Sequence, residues 1–361
     1  MSDLAGLLLY VVGIGGMFLL LIAPHEGGHF LFAKLFKVRV IEFSIGAGTR
    51  LWSTTRDGTL YAIRAFPIIG YVRMGGMEAG DFDEPNGFHS KPALQRIAIL
   101  VAGPAANFLV AMIIVTGLGL TQLNSDPAKV LGVVAGSPAA SAGFQAGDRI
   151  QTVNGRRVTT PDQLKTAEKA APGATLVIGG VHANGKPFDY VVVPACDLSP
   201  KTGLSTTCQV GLGIAKIVTP VSAVADGATF PFQVVGGTVS GLWALATGAV
   251  PGGLLGPQGL TGPIGIADVT AGAVSQGPAT YLFLVALLSV ALGFTNLLPL
   301  LALDGGRIVV VLVEVMRRRP FDRTAEMNFH RWGLVALFAV AAVISFLDIQ
   351  RIASGQFPGV R

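Results

Sequence analysis

The chain has 361 residues, 51% hydrophobic and only 13% charged, with a net charge of +5 and a mean hydropathy of +0.61. Soluble chains carry about 25% charged residues, so an ordinary soluble enzyme is excluded, and so is a disordered chain, which needs low hydrophobicity and high charge. The basic residues follow the apolar segments and form no single stripe, which excludes a nucleic-acid partner and leaves an integral membrane protein with a soluble insert.

An uncharged run of about 18 residues or more can cross a bilayer as a helix. The first predicted span, residues 1–36, is uncharged from Leu4 through Pro24, meets His25-Glu26-Gly27-Gly28-His29, and stays apolar through Ala33. It follows Asp3, with no basic segment and no evident cleavage site, so it is expected to be a span and not a cleaved leader. Its pentapeptide fits H-E-x-x-H. On a helix, histidines four apart share one face and can both reach one Zn²⁺, while Glu26 beside them can accept a proton from the attacking water. An acid within a bilayer costs about 2.5–3.5 kcal/mol on insertion scales, and a metal gives all three polar groups a partner.

Residues 37–92 are a basic segment, and nine Lys/Arg lie between Lys34 and Arg96. The second span, 93–121, is uncharged from Ile97 to Leu120. Between about Lys129 and Pro194 the pattern changes to short strands and turns. Val130–Val134 reads as a strand, Ser137–Gly143 as a short helix closed by glycine, and Gly147–Gly155 as a turn, a strand and an Asn-Gly hairpin. A helix capped by Thr160 follows from Pro161, then β-rich runs at Thr175–Ile178 and Phe188–Val193. The pattern resembles a PDZ domain of the circularly permuted bacterial kind over residues 125–200. Ser137-Pro138-Ala139, Ala142-Gly143, Gly147-Asp148-Arg149-Ile150 and Asn154-Gly155 carry the resemblance. Such a domain adds a peptide strand to a sheet edge, so a peptide C-terminus is an expected partner. Its role is either to select or gate substrate or to act as a rigid cap. Cys196 and Cys208 form a disulfide in an oxidising compartment, or stay as two thiols.

Residues 201–280 are expected to be a Gly-rich membrane-surface linker or a re-entrant loop. No charged side chain occurs from 227 to 267, and Gly and Pro interrupt the run repeatedly. The third span, 281–316, runs from Tyr281 to Leu303, breaks at Asp304-Gly305-Gly306-Arg307 and resumes through Leu312. Asp304 could simply start the second half of the helix. Two histidines leave zinc short of a third protein ligand, however, and the apolar residues after Asp304 put it at or near membrane depth, so Asp304 completes the set. The fourth span, 330–348, is short unless its flanks snorkel. Six Lys/Arg lie from Arg307 to Arg331, against nine over the much longer stretch from Thr121 to Thr280. The positive-inside rule then makes residues 37–92 and 317–331 cytoplasmic, with the insert and both termini outside. Arg317-Arg318-Arg319 serve as an orientation signal at anionic headgroups. His89, His182 and His330 read as ordinary surface or interface residues.

Taken in order, these residues resemble the site-2 proteases, the intramembrane zinc metalloproteases, in their bacterial PDZ-containing branch (regulator of sigma-E protease-like). His25-Glu26-Gly27-Gly28-His29 matches the family's H-E-x-G-H. Gly70-Tyr71-Val72-Arg73-Met74 resembles part of its membrane-associated β-loop, and Gly103-Pro104-Ala105-Ala106-Asn107 the start of its second core helix. Asn296-Leu297-Leu298-Pro299 with Leu303-Asp304-Gly305-Gly306 matches N-x-x-P-x-P-x-L-D-G, except that Leu301 replaces the second proline and allows a more helical segment.

The resemblance implies a polytopic α-helical membrane protein of about four spans, with a membrane-associated β sheet and an inserted α+β PDZ domain. It implies one Zn²⁺ per chain on His25, His29 and Asp304, with Glu26 as general base. Asn296 is implied to hold the substrate backbone, and the edge around Gly70 and Tyr71 to pair with an unwound substrate. The expected substrates are single-pass transmembrane proteins or signal-peptide remnants, cut in a bacterial inner or plasma membrane with the active site near the cytoplasmic side. The competing readings are a catalytically silent PDZ-bearing adaptor with a structural metal, which has no need of Glu26, and a His/Asp proton-relay transporter, which would favour an internal repeat.

Overall fold

The computed structural model describes residues 2–77, 81–124, 128–158, 160–170, 173–198, 205–215, 217–250, 253, 256 and 259–354. The chain divides into two compact units, Met1–Thr116 with Asp226–Arg361, and Gly117–Ala225.

The first unit is mainly helical. Helix α1 covers Ser2–Leu35, α2 Ala93–Thr121, α5 Pro220–Ala246, α6 Pro263–Gln276, α7 Pro278–Leu297, α8 Asp304–Arg317 and α9 Arg323–Ala353. Four segments among the described residues are long and apolar enough to cross a membrane: Leu9–Leu35, Ala93–Thr121, Pro278–Leu297 and Arg323–Ala353. They overlap the four predicted spans, the third of them only over 281–297. Between α1 and α2 lie two long strands, β1 (Val40–Arg56) and β2 (Thr59–Met74). Both bend, so that residues 60–63 pair with 42–45 on one side and 52–55 on the other, while 42–45 also pair with 70–73. The result is a four-segment mixed sheet, parallel between 42–45 and 60–63 and antiparallel elsewhere, with 70–73 as an edge, held to the helices by Val38, Val40, Met74, Ile99, Leu100 and Val311. Within this sheet Glu42 accepts from Arg64 at 2.6 Å and from the Tyr71 hydroxyl at 2.9 Å. Burial pushes its pKa up, but these two donors outweigh that and hold the carboxyl below its ordinary range.

The segment expected to be a Gly-rich linker is organised differently. Its first part contributes strands to the second unit, and much of the rest forms α5 and α6. Both helices begin on proline, which suits a first helical position. The glycines act as close-packing sites: at Gly227 a side chain would strike Thr116 and the Met112 carbonyl, and small residues are what let helices approach in an apolar setting. Phe230 fills the space beside Ala111, Ala286 and Val290. Asp348 of α9, fully buried, caps α6 by accepting from Gly262 N at 2.8 Å and Gly265 N at 3.0 Å. Arg351 donates to Leu260 O at 2.6 Å.

The break between α7 and α8 persists despite Leu301, which corrects the expectation of a more helical segment. Leu298 precedes proline, whose ring disfavours helical backbone at the preceding residue, and Leu298 is extended (φ −64°, ψ 146°). The loop is then clasped by α9: His330 Nδ1 donates to Leu301 O at 3.0 Å, and Gly333 leaves just enough room for Leu301 and Ala302.

The second unit carries β3 (Val130–Val133), α3 (Pro138–Ala142), β4 (Arg149–Val153), β5 (Arg156–Arg157), α4 (Pro161–Ala170), β6 (Leu176–Val181), β7 (Pro187–Val192), β8 (Ala195–Leu198), β9 (Ser205–Gln209) and β10 (Leu212–Ile214). Its main sheet runs β5-β4-β6-β7, and β10 pairs with β3. This pairing carries the unit past residue 200, the boundary expected from sequence. The Ser137 side chain caps α3, and Gly143 ends it at φ 99°. Ile150, Val153, Leu164, Leu176, Ile178 and Val210 form the core, each contributing roughly 1.5–3 kcal/mol on burial from water. Cys196 and Cys208 are joined in a disulfide across β8 and β9.

Candidate active site

Helix α1 presents His25 and His29 one turn apart, both buried. Asp304, the first residue of α8, meets them: its Oδ2 lies 3.3 Å from His25 Nε2 and 3.2 Å from His29 Nε2, and the two Nε2 atoms are 3.3 Å apart. His29 Nδ1 donates to Ile99 O at 2.8 Å, which turns the Nε2 lone pair of the neutral ring toward Asp304. Asp304 Oδ2 is buried with no hydrogen-bond donor. Three possible metal-ligand atoms, two imidazole nitrogens and one carboxylate oxygen, therefore converge on one point. Bonds of about 2.0–2.1 Å in a tetrahedron place ligand atoms roughly 3.3–3.4 Å apart, the separation found here, so the donor set fits a zinc ion.

The glycines around the cluster explain its packing. A side chain on Gly28 would collide with the Ala102 carbonyl, and one on Gly103 with the His29 ring. Helix α2 can therefore lie directly on the histidine face. It also supplies Asn107, fully buried, whose Nδ2 is 3.4 Å from His25 Nδ1 while its Oδ1 has no partner. A half-turn of the amide, which exchanges two nearly indistinguishable atoms, lets Oδ1 accept from His25 Nδ1–H. His25 then adopts the same tautomer as His29.

Glu26 faces the sheet edge. The Val72 backbone amide hydrogen-bonds its carboxyl, and Gly70 is so close to Ile22 and Glu26 that a Cβ there would lie 2.6 Å and 3.1 Å from their side-chain carbons. Gly70 is thus needed for strand β2 to reach helix α1. Tyr71 points away to Glu42. Asn296 sits in the last turn of α7, its Nδ2 bonded to Leu292 O at 3.1 Å.

A profile of Peptidase family M50 matches residues 14–340. The chain belongs to this family, the site-2 proteases. A candidate zinc metalloprotease of Fusobacterium nucleatum is 33% identical over 340 residues, which cover 92% of this M50 chain and 96% of the relative. The zinc metalloprotease RasP of Bacillus licheniformis is 29% identical over 409 residues, with 91% and 96% covered. Among solved structures, the PDZ domain of the SdrC-like protein of Listeria monocytogenes covers 26% of this M50 chain and 92% of its own, at 21% identity. Its TM-score of 0.21 is too low to assign a fold.

Three histidines read from sequence as ordinary prove to have defined roles or surroundings in this M50 chain. His182 bridges Asp148 (2.8 Å) and Tyr190 (3.2 Å), His330 clasps the break, and His89 lies buried among arginines. Asn107 was visible only as a motif residue on α2; its distance of 82 residues from His25 hides the pairing.

Proposed function

We propose that this M50 peptidase hydrolyses peptide bonds of transmembrane substrates at a single zinc held by His25, His29 and Asp304. The observation that carries the reading is the convergence of three possible ligand atoms, His25 Nε2, His29 Nε2 and Asp304 Oδ2, at 3.2–3.3 Å from one another. Zinc in that position supplies Lewis acidity to polarise the scissile carbonyl and to acidify the attacking water. Glu26 receives the water's proton and delivers it to the leaving amine. Its bond from the Val72 amide keeps the carboxylate oriented, and Asn107 and the Ile99 carbonyl keep the two imidazoles in one tautomer. A substrate helix has closed its own backbone bonds and must unwind before it is cut. The open edge at 70–73 can pair with the unwound stretch beside Glu26, and Asn296 holds its backbone farther along.

Four helices of spanning length and the basic segments at 37–92 and 317–331 support a multi-pass protein of a bacterial inner or plasma membrane, with cleavage near the cytoplasmic side and the second unit outside. That unit, read as a PDZ domain, selects or gates substrates such as single-pass proteins or signal-peptide remnants. Its disulfide suits an oxidising compartment.

The test is zinc content and cleavage of a transmembrane peptide, measured side by side for the detergent-solubilised protein and Glu26→Gln. Zinc in both with cleavage only in the parent is expected. Absence of zinc from both would overturn the reading.

A further inference from the structure

Outside the zinc-fitting cluster, a small cavity of about 80 Å³ opens between α8, α9 and the segment before α2. Arg307, Arg323, Arg331, His89, His330 and Glu326 line its polar side. Three arginines against one glutamate leave two positive charges in excess, and Arg323 already engages Glu326 at 3.1 Å and Glu314 at 2.7 Å. Among the described residues, no carboxylate lies within ion-pair distance of Arg307 or Arg331. Arg307 makes only weak contacts, Nη2 to His330 Nε2 at 3.3 Å and Nη1 to the Met77 sulfur at 4.0 Å. His330 Nδ1 is committed to Leu301 O, so its Nε2 accepts from Arg307 and the ring is neutral. His89 Nδ1 is buried with no partner. Burial, then the fields of Arg323 and Arg96, push its imidazole down to about 3, against the opposing field of Glu314.

We propose that this cavity binds one phosphate group, gripped by the guanidinium forks of Arg307 and Arg331 and by His89 Nδ1–H. The forks match a tetrahedral oxyanion. The space is small beside sites for drug-sized ligands, which occupy about 300–1,000 Å³, and a single phosphate group suits it. The source favoured by the surroundings is the headgroup of an anionic lipid. Trp332 and Phe329, on either side of the Arg331 rim, are exposed by 72% and 47%, and exposed aromatics beside cations belong at the membrane–water interface.

The full-length protein in detergent, at low salt because screening weakens exposed charges, would be titrated calorimetrically with inorganic phosphate. The parent binds, Arg331→Lys, which keeps the charge but loses the fork, binds with intermediate affinity, and Arg331→Gln binds about tenfold more weakly than the parent, all three with unchanged zinc content. Repeating the titration in nanodiscs identifies the source. Phosphatidylglycerol discs abolish the phosphate signal and phosphatidylcholine discs preserve it if the lipid headgroup is the occupant; a signal preserved in both means free phosphate. Failure of the parent to bind, or equal affinity in Arg331→Gln, would overturn the proposal.

Discussion

The two units each bury histidine against aspartate, and the pairs behave in opposite ways. In the second unit, Asp148 accepts from Gln145 N at 2.9 Å and from His182 at 2.8 Å, and His182 passes the chain on to Tyr190 at 3.2 Å. Every contact there has a proton to share, so the network is complete without an ion. Around Asp304 the same residue types stand 3.2–3.3 Å apart with lone pairs facing one another, and the outward nitrogens are occupied by Ile99 O and the Asn107 amide. Composition does not separate a structural His–Asp pair from a metal site. The partners of the ring nitrogens do: a tyrosine hydroxyl continues the first, and other possible metal ligands face one another in the second.

The sharpest way to break this contrast is to remove one lone pair. Asp304→Ala and His29→Ala should each lose zinc and cleavage together, read by metal analysis and a peptide assay, whereas His182→Ala should leave zinc content at the parent value. The next largest effect belongs to the second unit. Asp148→Asn weakens a buried charged hydrogen bond and should cost about 1–3 kcal/mol of its stability, followed by thermal melting, again with zinc retained; coupled loss of metal would erase the distinction. Asn107 then tests the shell behind His25. Asn107→Leu should weaken zinc binding by about 10–100-fold in a chelator competition, and Asn107→Asp, which keeps the acceptor, should restore most of it.

His89 is a third kind of histidine, with cations for neighbours: Arg96 on α2, Arg323 on α9 and Arg307 on α8, with Glu314 of α8 as the opposing charge. Its folded value of about 3 lies below the ordinary 6.5, so the unfolded chain takes up a proton that the folded chain refuses. Stability is therefore unaffected above about pH 6.5 and falls as pH drops from there toward 3, by at most about 1.4 kcal/mol per unit. Melting curves between pH 7 and 5 should show that slope, and His89→Gln should flatten it.

Much of the site was legible because its chemistry is local. His25, Glu26 and His29 lie within five residues, and Asp304 announces itself as an acid in an apolar run. The four spans were legible by length and lack of charge, and the short strands and turns from Val130 to Val192 by their glycines and alternation. What stayed hidden depends on partners far along the chain. Residues 201–280 looked irregular because glycine and proline density masks helix periodicity; α5 and α6 form because small residues let neighbours close in and because Asp348, 86 residues from Gly262, caps one of them. Leu301 looked like a loss of the break. The break is kept instead by Pro299 from one side and by His330 and Gly333 from the other.

That clasp gives the chain a timetable. Asp304 is the first residue of α8 and hangs from a loop whose carbonyl at Leu301 is tied to His330, with Gly333 packed beneath it. During synthesis, the histidines emerge nearly 280 residues before Asp304, and Asp304 emerges nearly thirty before the residues that fasten its loop. A zinc set of His25, His29 and Asp304, as proposed, is therefore fastened only once α9 has been made and has docked against the loop.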